Sequence, residues 1–168
     1  SDLKTHTTNV ATFQTPTHGP LGIIMKHDIL WFKTAEPRVR FDLKQITGTV
    51  PIIKAYAGMG IGDGIISLLA PEKIDGVVIE ALGAGNLPPL AAREIKSLMD
   101  KGVPVVLVSR CFNGIAEPVY AYEGGGVKLQ EAGVMFIKEL NAPKARLKLL
   151  IALSAGLEGQ ELKDYIEG

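Results

Sequence analysis

The sequence predicts an α/β protein: a small open parallel sheet with flanking helices, preceded by an extended arm and a β-hairpin. Residues 77–79 and 103–108 are continuous apolar runs, and segments with helical spacing alternate with them. Strands that are apolar on both faces are typical of a parallel sheet covered by helices. Gly (19) and Pro (10) are scattered along the chain, which indicates short elements joined by tight turns.

The elements fall into two regions with different compositions. Residues 1–49 contain all three histidines and the only Trp, and they include two apolar runs, 21–25 and 29–32, that predict a hairpin with a three-residue connection. Residues 50–168 predict the α/β domain. Its expected strands are 52–56, 77–79, 103–108 and 134–137. Its expected helices are 61–70, 87–101, 141–155 and 158–167. Asn141 is expected to cap the third of these helices, which has Leu147, Leu150 and Ile151 on one face.

Composition excludes several classes of function. Eighteen Lys plus Arg balance eighteen Asp plus Glu, so no global field attracts nucleic acid or an anionic membrane. No apolar run reaches the roughly 18 residues that span a bilayer, and the polar start is no signal peptide, so we expect a cytoplasmic protein without a membrane partner. One cysteine and three histidines cannot form a Cys-rich zinc site, and we expect Cys111 to be a buried small residue rather than a nucleophile.

Ligands of a parallel sheet gather at the carboxyl ends of its strands, so the loops after the strands are the candidate site. The glycine-rich segment 58–64 follows the first strand, and backbone amides at a helix start there can receive an anion, with Glu80 as a ribose-binding carboxylate. A dinucleotide motif, however, needs Gly where this chain has Asp63 or Ile65. A plain strand-to-helix turn is therefore the favoured interpretation.

The next two loops carry polar side chains beside glycines. Asn86 follows Gly85 and precedes a proline-started helix, so it is either an N-cap or a ligand contact. Tyr122 and Glu123 precede three glycines, which allow a sharp turn that pushes Glu123 outward, although a solvated loop carboxylate is the commoner outcome. In the arm, residues 4–13 are interpreted as a polar strand with alternating faces rather than a source of a threonine nucleophile.

Several stretches together resemble one family, the bacterial-type L-asparaginases, and in particular their cytoplasmic branch. The resemblance covers essentially the whole chain. Its stretches, in order, are KTHTTNVATF at 4–13, GPLG at 19–22, the strand end Tyr56-Ala57, GAGNL at 83–87, SRC at 109–111 and KAR at 144–146.

This resemblance implies hydrolysis of L-asparagine to L-aspartate and ammonia through an acyl-enzyme on a threonine. The family carries that threonine in a larger N-terminal domain, within motifs such as T-G-G-T and G-T-D-T. This chain contains neither motif, and Thr47-Gly48-Thr49 lacks the second glycine. We therefore expect residues 1–49 to belong to a missing N-terminal domain, residues 50–168 to be the C-terminal domain, and the chain alone to be inactive, with no catalytic residue, metal or cofactor of its own.

The resemblance also implies a site that lies between subunits of a homodimer or homotetramer. Asn86 matches the family's contributing asparagine, and Glu123 is the candidate for a carboxylate that contacts the substrate amine, with Gly85 and Tyr122 beside them. Three alternatives stay open: a stand-alone nucleotide-binding module, a purely structural assembly domain, and an amidotransferase subunit with asparaginase-like domains.

Overall fold

The structure, a computed structural model, describes residues 3–34 and 38–168. The chain forms two compact units, Ser1–Asp42 and Leu43–Gly168. Residues 43–49 thus lie in the second unit, where the Thr47 amide donates to Ser154 Oγ at 3.0 Å and the Thr49 amide donates to Asp75 Oδ2 at 2.7 Å.

The first unit contains two antiparallel hairpins, β1 (Leu3–Lys4) with β2 (Phe13–Gln14) and β3 (Gly22–Met25) with β4 (Asp28–Trp31). The predicted hairpin is confirmed, but its three-residue connection is wrong. Met25 pairs with Asp28, so the connection is two residues, and Lys26 adopts the left-handed φ of 55° that such turns need. The β3–β4 hairpin is exposed, with Ile24 81% and Trp31 64% exposed.

The arm is not the continuous polar strand that the sequence predicts. Between β1 and β2 the chain forms a loop that is closed by the buried Thr12, whose hydroxyl donates to the His6 carbonyl at 2.5 Å and whose carbonyl accepts from the Thr5 amide at 2.8 Å. Short hydroxyl side chains form such local bonds readily, and these bonds compete with strand pairing.

The second unit is built on a four-stranded parallel sheet, as predicted. Its strands are β5 (Ile52–Lys54), β6 (Val77–Ala81), β7 (Val105–Ser109) and β8 (Met135–Phe136), and their order in the sheet is the order in the chain. The central strands β6 and β7 are almost entirely buried. All four strands run in the same direction, so the loops that follow them share one edge of the sheet.

Helices cover both faces of this sheet, which explains the continuous apolar strands. Helices α1 (Pro89–Met99) and α2 (Gly126–Glu131) contribute Ile95, Leu98 and Leu129 to a core shared with Ile79 and Leu107. The alternate strand residues Val78 and Val106 point to the opposite face, where α3 (Ala142–Ser154) contacts β6 and β7 and α4 (Gly159–Glu167) contacts β8.

The helix predicted over 61–70 is wrong. The described chain there forms turns, followed by a single 3-10 turn at Pro71–Lys73. Four glycines at 58, 60, 62 and 64 adopt positive φ, a conformation that no right-handed helix contains. The helical spacing of Ile61 and Leu68 was misleading, because these side chains are 72% and 78% exposed.

Two further helix expectations need correction. The sequence pattern did not predict α2, whose first residue is the last of three glycines and which therefore lacks the usual start signals. In α3 the predicted face is partly right: Leu150 is buried as expected, but Leu147 is half-exposed and Ile151 only partly buried, and the face turns toward Ala145, Leu149 and Ala152, which are fully buried. The small alanines allow this helix to pack closely on the sheet.

A cavity of about 440 Å³ opens at the edge of the sheet opposite the loops after the strands. It is lined by residues 48–52 and Arg146. Arg146 Nε donates to the Val50 carbonyl at 2.7 Å, so this arginine ties α3 to the chain entering β5. The KAR stretch therefore has a structural role in this unit.

Asn141 is a true N-cap, because its side chain accepts from the Lys144 amide at 3.1 Å and Pro143 occupies the first turn of α3. Asn141→Ala leaves that amide unpaired, and we expect it to lower the free energy of unfolding by about 1 kcal/mol. Urea denaturation of both proteins measures the difference.

Asn141→Asp keeps the acceptor oxygen and should retain most of the stability. The matched control is Asn113→Ala, because the exposed Asn113 makes no side-chain hydrogen bond to the described residues. An equal loss in Asn113→Ala and Asn141→Ala would contradict the capping role.

Candidate functional site

The loops after the four parallel strands form the candidate site, at the edge where ligands bind in open parallel sheets. Backbone and side-chain bonds join these loops directly. Arg110, after β7, donates from its amide to the Ala81 carbonyl at 2.9 Å and from Nη1 to the Ala55 carbonyl at 2.8 Å. One residue thereby links the ends of β5, β6 and β7.

The loop after β6 is a tight turn that Leu82 and Asn86 close. Each of these residues donates its amide to the other's carbonyl at 2.9 Å. Gly85, a predicted site residue, is buried inside the turn with φ 122°, and a Cβ there would lie 2.8 Å from Phe136 Cε1. Only glycine fits, so Gly85 shapes the turn through its backbone and has no side chain to offer a ligand.

Asn86 does not cap the helix that follows it. Pro88 occupies the N-cap position of α1, without a side-chain hydrogen bond. Asn86 Oδ1 instead accepts from the amide of Gly126, the first residue of α2, at 3.3 Å. Asn86 Nδ2 makes no hydrogen bond to any residue in the described part of the chain, and the side chain is only partly buried. The amide group thus has one structural contact and a donor that remains open to a ligand.

Gly124, in the loop before α2, is required by close backbone packing against the loop after β6. A Cβ at Gly124 would lie 2.2 Å from the Leu87 carbonyl oxygen, and the Leu87 amide donates to the Gly124 carbonyl at 2.8 Å. The Glu117 amide donates to the Ala84 carbonyl at 2.7 Å. These backbone hydrogen bonds hold the loop after β6 against the loop after β7, with Asn86 at their contact.

Glu123 projects outward from this locked loop. Its side chain is 55% exposed, and its Oε1 accepts from Arg93 Nε on α1 at 2.7 Å. The hydrogen bond and the negative charge of Glu123 raise the pKa of Arg93 further above its ordinary value. Tyr122 is 55% exposed, and its ring centroid lies 5.7 Å from that of Tyr120. The structure thus brings Gly85 and Asn86 against the loop that carries Tyr122 and Glu123.

Cys111 is exposed, so the expectation that it is a buried small residue is wrong. The chain turns outward directly after β7, where the Ser109 hydroxyl donates to the Gly83 carbonyl at 2.6 Å and accepts from the Cys111 amide at 3.0 Å. This serine closes the turn, and the cysteine side chain is left at the surface.

The glycine-rich segment does not present a helix start to an anion. The Asp63 carboxylate accepts from the Gly60 amide at 2.8 Å and from the Tyr56 hydroxyl at 2.5 Å. The carboxylate of this chain therefore occupies the donors that a phosphate would need. Glu80 Oε2 lies 3.5 Å from Lys54 Nζ on the neighbouring strand and forms an ion pair with it.

The Tyr56–Asp63 bond moves both pKa values apart. The Tyr56 hydroxyl, followed by the surrounding backbone amides, lowers the pKa of Asp63 from 3.8. The hydrogen bond to Asp63, partial burial and the charges of Asp63 and Glu94 raise the pKa of Tyr56 from 10.0. The stabilising effect of Asp63 is therefore lost as pH falls through its folded-state pKa, and that of Tyr56 as pH rises through its own.

Among residues 3–34 and 38–168, no group of three or more His, Cys, Asp or Glu side chains is arranged to hold a metal ion. His6, His18 and His27 are all exposed. Within the same residues, every helix is too short or too polar to cross a membrane.

Sequence reasoning missed two residues at this edge, Arg93 and Asp63. Arg93 is an ordinary charged residue on the exposed side of a helix, and no local sequence pattern indicates that it pairs with Glu123, thirty positions away. Asp63 did carry a signal. An Asp among closely spaced glycines is well placed to bond to neighbouring backbone amides, as short polar side chains do in turns.

Comparison with known families gives a match over most of the second unit. Residues 49–166 match the profile of the Glutaminase/Asparaginase C-terminal domain. Three similar relatives extend the match over the first unit as well. A probable L-asparaginase of Deinococcus radiodurans is 41% identical over 95% of this chain and 49% of its own length. An L-asparaginase of Bacillus licheniformis is 30% identical over 93% of this chain and 48% of its own.

The third relative is a glutamyl-tRNA(Gln) amidotransferase subunit of Pyrococcus furiosus, 30% identical over 95% of this chain and 37% of its own length. The chain therefore spans about half the length, or less, of these relatives. Two solved structures share the fold. The probable cytoplasmic L-asparaginase of Campylobacter jejuni has a TM-score of 0.76 and 24% identity, over 98% of this chain and 50% of that one. The thermostable L-asparaginase of Thermococcus kodakarensis has a TM-score of 0.77 and 22% identity, over 99% of this chain and 51% of that one.

Asp63→Asn removes the negative charge of the group that accepts the hydrogen bond from the Tyr56 hydroxyl. We expect the pKa of Tyr56 to fall toward 10.0 in this variant, because ionising the phenol no longer breaks a charge-assisted hydrogen bond. An NMR titration of protein with isotope-labelled tyrosine measures this pKa, and Tyr56→Phe assigns the signal.

Asp100→Asn is the matched control, since Asp100 is an exposed carboxylate paired with Lys96 on α1. It should leave the Tyr56 titration unchanged. A Tyr56 signal that titrates at the same pH with and without Asp63 would show that the bond does not form in solution.

Proposed function

The chain belongs to the glutaminase/asparaginase family, whose C-terminal domain its residues 49–166 match, and on this premise we propose that it is part of an L-asparaginase. The complete polypeptide hydrolyses L-asparagine to L-aspartate and ammonia. Residues 50–168 supply its C-terminal domain; of residues 1–49, the arm and hairpin belong with the N-terminal domain, and residues 43–49 are the linker that joins the second unit. The protein is cytoplasmic and acts as a homodimer or homotetramer.

The observation that carries this proposal is the juxtaposition of the loops holding Asn86 and Glu123. They come from different parts of the chain and are joined by backbone bonds at the ligand-binding edge of the sheet, with an open amide donor on Asn86 and an exposed carboxylate on Glu123. An amino acid carries a carboxylate and an ammonium group, which are the natural partners of such a donor and such an acceptor.

In the proposed mechanism this domain recognises the substrate and the N-terminal domain attacks it. Glu123 contacts the substrate ammonium, Asn86 Nδ2 donates to a substrate oxygen, and Gly85 and Tyr122 shape the surface beside them. The domain of one subunit closes the pocket of its neighbour. Excluding water there strengthens the attraction between Glu123 and the ammonium and favours attack by the threonine nucleophile of the other domain.

A second candidate is an amidotransferase subunit, which the 30% identity to the glutamyl-tRNA(Gln) amidotransferase relative favours. The relative with 41% identity supports asparaginase instead. The two differ in their response to tRNA. Release of ammonia from L-asparagine by the complete polypeptide alone, unaffected by glutamyl-tRNA(Gln), supports asparaginase, whereas dependence on that tRNA supports the amidotransferase.

The variant Asn86→Asp separates substrate binding from the structural contact with α2. It keeps the oxygen that accepts from Gly126 but replaces the open donor with a negative charge. In the complete polypeptide we expect KM for L-asparagine to rise about tenfold or more, since a hydrogen bond to a charged group is worth about 1.5–3 kcal/mol. Steady-state ammonia release measures KM.

Asn86→Ala loses both contacts, so it should raise KM and also destabilise the loop before α2. Asn113→Ala, in an exposed loop, is the control and should leave KM within about twofold. Unchanged KM in Asn86→Asp would mean that Asn86 is only a structural link between loops.

The 168-residue chain by itself should release no ammonia from L-asparagine, because it lacks both threonine motifs. The complete polypeptide, assayed at the same concentration, should release it. A second measurement on the same chain tests the nucleotide-binding alternative. Specific binding of an adenine nucleotide would raise the melting temperature of the chain. Ammonia release by the chain alone at the rate of the complete polypeptide would refute the proposed division of labour.

A further inference from the structure

We propose that Arg93 is a positioning residue for recognition of the substrate amine, and that it acts by holding the Glu123 carboxylate in its binding orientation. This inference rests on the proposed role of Glu123. No feature of the sequence near Arg93 suggests it, and it follows from the contact between α1 and the loop before α2.

Arg93 projects from a rigid support. Helix α1 is anchored in the core by Ala91, Ile95 and Leu98, which are fully or almost fully buried, whereas Arg93 lies on the exposed side of the helix. The point on the helix from which the Arg93 side chain extends is therefore fixed.

Glu123 has a fixed backbone but a free side chain. The residue that follows it, Gly124, is buried against Leu87 and bonded to it. The Glu123 side chain itself has three rotatable bonds and is 55% exposed. The bond to Arg93 is its only side-chain hydrogen bond or ion pair among the described residues. Without Arg93 the carboxylate would sample several orientations.

The contact leaves a binding position open. Arg93 engages Glu123 through one nitrogen and one oxygen, Nε and Oε1, at 2.7 Å. The second oxygen, Oε2, makes no hydrogen bond to the described residues. An ammonium group can therefore bind Oε2 while Arg93 keeps Oε1, so the two cations share the carboxylate instead of competing for it.

Stability does not explain this pair. Both side chains are more than half exposed (66% and 55%), and ion pairs of this kind contribute little to folding in water. Holding a flexible side chain before a ligand arrives does improve affinity, because the ligand then does not pay for ordering it. The expected effect is on binding rather than on the chemical step.

The test uses Arg93→Met in the complete polypeptide, which keeps most of the unbranched stem of the side chain and removes the guanidinium and its charge. We expect KM for L-asparagine to rise about three- to fivefold, because the gain from ordering Glu123 cannot exceed the strength of the exposed ion pair that orders it, with kcat changed less than twofold. Arg93→Lys should restore part of the affinity. A lower KM in Arg93→Met would show that Arg93 competes with the amine, and would overturn the proposal.

Two inhibitors show whether the effect acts through the amine. L-aspartate carries the amine and succinate lacks it, so Arg93→Met should raise the inhibition constant of L-aspartate and leave that of succinate unchanged. Equal increases for both would indicate a general structural defect and overturn the proposal. Lys96→Met is the matched control, because Lys96 is an exposed cation on the same helix that pairs with Asp100 and makes no contact with Glu123; it should leave KM unchanged.

Glu123→Gln separates failure of this inference from failure of the proposed function. If Glu123→Gln raises KM and Arg93→Met does not, Glu123 binds the amine but Arg93 does not position it. If Glu123→Gln leaves KM unchanged, the role proposed for Glu123 fails and the inference fails with it. If both raise KM, Arg93→Met should have no further effect in the Glu123→Gln background, and an additive effect would overturn the inference.

Discussion

The turn that ends β6 is the constraint on which the candidate site depends. Leu82 and Asn86 pair through their backbones, and Gly85 between them lies so close to Phe136 that no side chain fits. The chain then pairs with the loop before α2, where Leu87 donates to the Gly124 carbonyl. Buried backbone groups must be paired, so these two loops form together, and the side chains of the site take their positions from this packing.

The polar groups at this edge differ in how completely the chain satisfies them. Both oxygens of Asp63 accept a bond from the chain itself, Oδ2 from the Tyr56 hydroxyl and Oδ1 from the Gly60 amide, and this carboxylate occupies the place in the glycine-rich segment where an anion would bind. Asn86 and Glu123 are each held at one atom and open at another. A group that is anchored once and still has a free donor or acceptor is pre-organised for a ligand, whereas a saturated group is structural. This difference supports Asn86 and Glu123 as the binding groups.

A domain that recognises a substrate without supplying a nucleophile still contributes to catalysis. Orientation of the substrate relative to the attacking group, and exclusion of water from the site, can account for a large part of a rate enhancement. The chain spans about half the length of its asparaginase relatives, and in the proposed function its groups hold the amino acid while the other half of the polypeptide attacks it. The proposed division between a recognition domain and a reactive domain follows from this chemistry.

The sequence by itself determined the parallel sheet, the helices α1, α3 and α4 and the loops that hold the candidate site, because burial on both faces and capping at Asn141 are encoded in local patterns of apolar and polar residues. Only the tertiary structure decided that Asn86 bonds to Gly126 and that Glu123 pairs with Arg93. These partners are 40 and 30 positions apart, and a contact between loops depends on strand order and backbone packing, which no local pattern records. In the glycine-rich segment a clear local pattern gave the wrong structure. Its helical spacing predicted a helix, but its left-handed glycines and the Asp63 carboxylate imposed a different backbone.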